Sequence, residues 1–150
     1  MAANKFVLDA SVLVKWFFTL EAEASLAARI KKDIETRKIR AYIPRYAVIE
    51  VLNVLSLKAP FKGSPAFTAS EVRAQLVSRD SWLNGKLKQK RLGDVELERA
   101  LFIVNAHGIA FYDAVYVALA EKLKARLVTA DYKASVRLVA RGDIVELRAY

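Results

Sequence analysis

Four acidic residues stand in the most apolar stretches of this chain, and any fold that buries those stretches must accommodate the acids. Asp9 ends the run Phe6-Val7-Leu8 and precedes Ala10-Ser11-Val12-Leu13-Val14. Glu50 lies between Ala47-Val48-Ile49 and Val51-Leu52. Asp113 opens the run from Ala114 to Ala120, and Asp131 closes Leu127-Val128-Thr129-Ala130. An unpaired buried carboxylate costs several kcal/mol. Four of them point to a shared partner that favours negative charge, and a divalent cation is the simplest.

The apolar runs alternate with helical patterns. Residues 5–9 read as a short buried strand, with Ser11 capping a helix to about Phe18. A second helix is expected over 21–38 and a strand at 41–43. Pro44 suits the start of the next helix, which carries Glu50 and Asn53 to about 59. Pro60, Gly63 and Pro65 break the pattern. Thr68, with Glu71 three residues on, predicts a capping box and a helix to about Trp82. Residues 84–92 are basic and poorly periodic, with room for a short edge strand. Asp94 is expected to cap a helix to His107 that Gly108 stops. A helix over 112–124, a strand at 126–130, a helix over 132–140 and a strand at 144–147 complete the chain.

This alternation indicates an α/β fold with a mainly parallel sheet. A length of 150 residues suits one domain and is short for two. In such sheets ligands bind beyond the carboxyl ends of the strands. Asp9 and Asp131 each stand at such an end, Asp113 begins a helix, and Glu50 lies about two turns into another. All four can face one edge of the sheet.

The residues that are missing narrow the chemistry. With no Cys and a single His, His107, there are no disulfides, no thiolate nucleophile and too few ligands for a zinc site of His and Cys. A metal here must be held by oxygen, which points to magnesium or manganese. The net charge of +9 favours polyanions such as nucleic acid. Asp9 and Lys15 interrupt the apolar N-terminal stretch, so it does not read as a targeting signal. No apolar run reaches the ~18 residues of a membrane span. The expected location is the cytoplasm, with no membrane partner.

Helical spacing sorts the neighbours of the acids. Ser11 and Lys15 are four apart and Glu50 and Asn53 three apart, so each pair shares a helix face. A pocket of carboxylates with a hydroxyl, an amide and one lysine suits magnesium, which usually keeps several waters. One or two such ions activate water and neutralise a phosphate oxygen.

The segments VLDASVLVKWF, YIPRYAVIEVLNVL, FYDAVYVALAEKL and LVTADYK resemble the motif blocks of the PIN-domain ribonucleases. The branch they look most like is that of the VapC-like toxins of toxin–antitoxin pairs. The blocks follow in the right order along nearly the whole chain, with all four acidic positions filled. The resemblance implies a three-layer α/β/α sandwich with a mainly parallel five-stranded sheet in the order 3-2-1-4-5. It also implies metal-dependent hydrolysis of RNA phosphodiesters by an activated water. Asp9, Glu50, Asp113 and Asp131 would then be the catalytic, metal-binding acids, with Mg2+ or Mn2+ as cofactor. Ser11 and Thr129 match hydroxyl positions of the family, and Lys15 and Asn53 match polar positions of this branch. A homodimer and a small antitoxin that reaches into the acidic pocket are further implications. The stretches KAPFKGSPAFTAS and SWLNGKLKQKRLG depart from many relatives, the second by being unusually basic.

Simpler roles exist for several of these residues. Asp9, Asp113 and Asp131 all precede helices and could be N-caps, whereas Glu50 lies within a helix and has no such role. Ser11 could cap its helix, Lys15 could snorkel to solvent or pair with Asp9, and Asn53 could face solvent. His107 suits a helix terminus better than chemistry. Trp16, Phe17 and Phe18 cannot all point inward and would divide between core and interface, with base stacking a weaker option. Lys86, Lys88, Lys90 and Arg91 are either a solvated face or a contact to RNA backbone. Three other functions compete with this one: a catalytically silent PIN-like module binding RNA or protein, a PIN nuclease of RNA processing without an antitoxin, and a phosphate-receiver domain. Four intact acids argue against the first, and a single acid at the first strand argues against the last.

Overall fold

In the computed structural model, which describes residues 4–58, 67–79, 81–138 and 142–150, the first strand is the middle of the sheet. β1 (Asn4–Leu8) is followed by α1 (Ala10–Val14), α2 (Ala24–Glu35), β2 (Ile39–Pro44) and α3 (Ala47–Lys58). Next come α4 (Ala69–Val77), β3 (Lys88–Lys90), α5 (Asp94–His107) and α6 (Phe111–Leu123). β4 (Arg126–Thr129), α7 (Tyr132–Val136) and β5 (Ile144–Glu146) follow, and a 3-10 turn over Leu147–Ala149 ends the chain. The sheet order is β3-β2-β1-β4-β5 and every pairing is parallel. The expected topology is therefore present.

Position in the sheet explains the composition of each strand. β1 has a neighbour on both sides and helices on both faces, so Phe6, Val7 and Leu8 are all buried and the run is continuously apolar. α6 packs across β1, β2 and β4. Ala114 to Ala120 are buried without interruption, as befits a helix covered on every side. α5 covers α6 in turn. No single helix among the described residues is long and apolar enough to cross a membrane.

Several boundaries differ from those the sequence suggests. Pro44 ends β2 rather than starting a helix, and it pairs in register with Lys90, beyond the last residue of β2 that pairs with β1. α1 stops at Val14 and continues only as turns to Phe18. α2 is shorter than 21–38 because Glu23 and Arg37 both take left-handed backbone, with φ of 64° and 59°. α4 ends at Val77, where the Ser78 hydroxyl donates to the Ala74 carbonyl at 2.6 Å. Gly93, not Asp94, holds the cap position of α5, and the Glu96 carboxylate accepts from its N–H at 2.7 Å. Gly108 does stop α5, in left-handed backbone at φ 63°. α7 ends at Val136 with Arg137 as its C-cap, short of the expected 140, and the 60–65 break lies outside the described residues.

The capping box at Thr68 is complete. The Thr68 hydroxyl accepts from the Glu71 N–H at 3.1 Å and the Glu71 carboxylate accepts from the Thr68 N–H at 2.7 Å. Thr68→Ala is expected to cost about 1 kcal/mol of stability, read as a lower midpoint in urea unfolding with an unchanged slope.

Candidate functional site

Parallel strands β1 and β4 lie side by side in the middle of the sheet, and the chain leaves them in opposite directions across it. That is the switch point at which α/β sheets bind ligands. Asp9 follows β1 directly and Asp131 follows β4 by two residues. α3 brings Glu50 to the same edge and the first turn of α6 brings Asp113. The mutual charge effects link Asp9 to Glu50, Asp113 and Asp131.

Asp9 is the best-held member. It is 7% exposed. Its Oδ2 accepts from the Ser11 hydroxyl at 2.6 Å and from the Thr129 hydroxyl at 2.8 Å. Ser11 also accepts from the Ala130 N–H at 2.9 Å, and Thr129 from the Asp131 N–H at 3.0 Å. These bonds tie the loop after β4 to the loop after β1. Asp9 occupies the cap position of α1 but its side chain does not cap; nor does Ser11, whose hydroxyl is committed to Asp9 and Ala130. Burial pushes the Asp9 carboxyl up, the two hydroxyls oppose that, and the charge of Asp131 adds to it.

Of the three possible helix caps, only Asp131 is one. Its Oδ1 accepts from the N–H groups of Lys133 at 3.1 Å and Ala134 at 3.3 Å. Asp113 lies inside the first turn of α6, whose cap position belongs to Ala110. Burial, then the charges of Asp9 and Asp131, push its carboxyl up to about 6. Burial, then Asp9 and Asp113, push Glu50 up to about 7, against the donating Tyr116 hydroxyl 3.4 Å from its Oε2. The Oε1 of Glu50 is buried with no hydrogen-bond partner.

These features fit a hard divalent cation. The donors are carboxylate and hydroxyl oxygens, one buried oxygen is unsatisfied, and Asp9, Glu50 and Asp113 are each pushed up by burial and then by neighbouring acids, which a cation would reverse. Among the described residues no three acidic side chains already converge as a complete ligand set. Magnesium does not require one, since it usually takes one or two carboxylates and keeps its waters.

The other expected site residues divide. Lys15 is turned away from the acids: its ammonium donates to the Ala22 carbonyl at 2.8 Å and pairs with Glu21 at 3.7 Å, partners only a few residues along the chain. Asn53 is exposed on α3. His107 sits in the last turn of α5. Trp16 is core, its indole N–H donating to the Ala27 carbonyl at 2.8 Å, and Phe17 packs between Phe67 and Trp82. Lys86 donates to the Glu35 carbonyl at 2.6 Å and Lys88 is exposed on the edge strand. Lys90 and Arg91 border a cleft of about 390 Å³ that also involves Arg45, Tyr46, Phe111 and Tyr112. Arg45 ends a basic segment that reads as a solvated face, and the three rings lie within or beside apolar blocks that read as core.

A family model described as PIN domain matches residues 6–138. The chain belongs to the PIN domain family. Three solved structures share its fold. A toxin–antitoxin complex from Klebsiella pneumoniae aligns with a TM-score of 0.62 at 15% identity, covering 94% of this chain and 96% of that one. A protein from Pyrobaculum aerophilum aligns at 0.63 and 23% identity, covering 97% and 85%. The Mycobacterium tuberculosis toxin VapC20, described as cleaving the sarcin–ricin loop, aligns at 0.64 and 15% identity, covering 87% and 93%. No curated protein matches the chain by sequence.

Proposed function

We propose that this PIN protein is a metal-dependent endoribonuclease, the toxin of a toxin–antitoxin pair. The observation that carries the reading is the buried Asp9, held by Ser11 and Thr129 at the switch point with Glu50, Asp113 and Asp131 around it. Two structural neighbours are a toxin–antitoxin complex and a toxin that cleaves an RNA loop, which supports the choice of substrate and partner. A homodimer and a small antitoxin partner belong to the same proposal, as does a single PIN domain over 1–150 acting in the cytoplasm.

Asp9, Glu50, Asp113 and Asp131 would hold Mg2+ or Mn2+, which when bound activates water and neutralises charge on the phosphate. The protein supplies the placement. Ser11 and Thr129 fix the rotamer of Asp9, so its free oxygen keeps one direction. Asp131 is fixed by the amides of α7, which leaves its other oxygen for the pocket. Tyr116 steadies one oxygen of Glu50 and leaves the other unpartnered. Lys90, Arg91 and the exposed Lys88 offer positive charge to the RNA backbone.

The test is direct. Purified protein with Mn2+ or Mg2+ is expected to cut a single-stranded RNA, with cutting stopped by EDTA and restored by excess metal. Cutting that persists in EDTA, or none with either metal, would overturn the proposal.

A further inference from the structure

The cleft beside the acids has the chemistry of a nucleotide subsite. It opens where the end of β3 meets the start of α6, lined by the rings of Tyr46, Phe111 and Tyr112, by aliphatic side chains of α5 and α6, and by Arg45, Lys90 and Arg91. At about 390 Å³ it lies at the small end of the range for ligand pockets, ~300–1,000 Å³, room for a nucleoside rather than a base pair. Tyr112 is 62% exposed and Phe111 37%, so two large rings stand open to solvent next to unpaired cations. The guanidinium groups of Arg45 and Arg91 have no acidic partner among the described residues.

The cleft is built, and it is connected to the acids. The Tyr46 hydroxyl donates to the Tyr112 carbonyl at 2.9 Å, and the two rings lie 5.5 Å apart, so Tyr112 is held from below. Tyr46 in turn packs edge-on against Tyr116 at 5.5 Å, and Tyr116 donates to Glu50. A chain of three tyrosines therefore runs from the open ring to the candidate metal centre. Phe111 and Tyr112 are also the two residues that precede Asp113 in sequence. The cleft thus adjoins the acids through Tyr112, next to Asp113, and through Tyr46, one helix turn before Glu50.

We infer that the cleft stacks one unpaired base of the RNA next to the scissile phosphate, on Tyr112 and Phe111, with Arg45, Lys90 and Arg91 holding the adjoining backbone. Exposed rings beside cations are how single strands are held without sequence readout, since every base has a π-face. Arg45 and Arg91, without an acidic partner among the described residues, suit a polyanion better than an apolar partner protein. The inference rests on the nuclease proposal for its substrate and not for its binding test.

The probe is a short single-stranded RNA carrying 2-aminopurine, titrated in EDTA so that no metal-dependent cutting intervenes. Wild-type protein is expected to quench the fluorophore. Tyr112→Ala and Phe111→Ala should each weaken binding about tenfold and lose most of the quenching. Tyr112→Trp should restore both, which a merely structural role would not predict. Arg91→Ala should weaken binding of every sequence and lower the salt slope by about 1. Unchanged affinity and quenching in both ring variants would overturn the subsite, whatever the nuclease assay gives. The same result with a partner protein lost from Tyr112→Ala would reassign the cleft to protein binding. Normal quenching without metal-dependent cutting would leave the subsite standing and remove the nuclease reading instead.

Discussion

Asp9→Asn is expected to abolish metal-dependent cutting, a loss on the order of 10³-fold, without unfolding the protein. The amide oxygen can still accept from Ser11 and Thr129, so the ties between the two loops survive. What disappears is the most deeply buried negative charge of the group. The carboxyl of Asp9 is raised by burial, which means that its charge is a cost to the metal-free fold. The variant should therefore melt no lower than the wild type in EDTA at pH 8. Calorimetric titration with Mn2+ provides a second readout, with the heat of binding lost in the variant. Cutting at the wild-type rate by Asp9→Asn would remove Asp9 from the chemistry.

Glu50→Gln should separate stability from activity in the opposite directions. Glu50 is raised from 4.5 to about 7 and Asp113 from 3.8 to about 6, so between these values the folded protein holds protons that the unfolded chain releases. Their contribution to stability is full below pH ~4 and is lost as pH rises through 6 and 7. Metal-free wild type should accordingly melt lower at pH 8 than at pH 5, as far as these two groups decide it. A shift of this size corresponds to at most about 3 kcal/mol, which screening of a partly exposed carboxylate reduces to about 1. Glu50→Gln should recover that much at pH 8, a rise of about 2–4 °C, while cutting falls steeply. Mn2+ at a hundred times its Kd should raise the wild-type stability by about 2.7 kcal/mol, and that of the variant by much less. A variant less stable than wild type at pH 8 without metal would contradict the burial argument.

The sequence made the sheet readable because its strands are short, apolar and separated by helices with strong stop signals. β1 and α6 were the plainest, since continuous apolar runs in an α/β chain have only the middle of the molecule to occupy. The direction in which a side chain turns was not readable. Asp9, Asp113 and Asp131 all precede or open helices, yet only Asp131 turns back onto its own amides; Asp9 turns toward hydroxyls that arrive from residues 11 and 129. Lys15 shares a helix face with Ser11, but a carbonyl and a carboxylate a few residues away hold it before it can reach the pocket. The aromatic wall of the cleft was hidden for a related reason. Tyr46, Phe111 and Tyr112 sit in apolar blocks, and only the packing of α6 against β1 and β2 leaves two of those rings uncovered.

The outer strands of the sheet are its shortest, β3 and β5 having three residues each, and β3 reads Lys-Gln-Lys. An edge that short offers few free amides and carbonyls, and its charge repels a second strand. β5 runs straight into a 3-10 turn that packs against α2. A peptide seeking this protein therefore finds little edge to extend among the described residues, which favours recognition through side chains. An exposed Lys88 on that edge also opposes strand-to-strand self-association, and neutralising it should cost solubility.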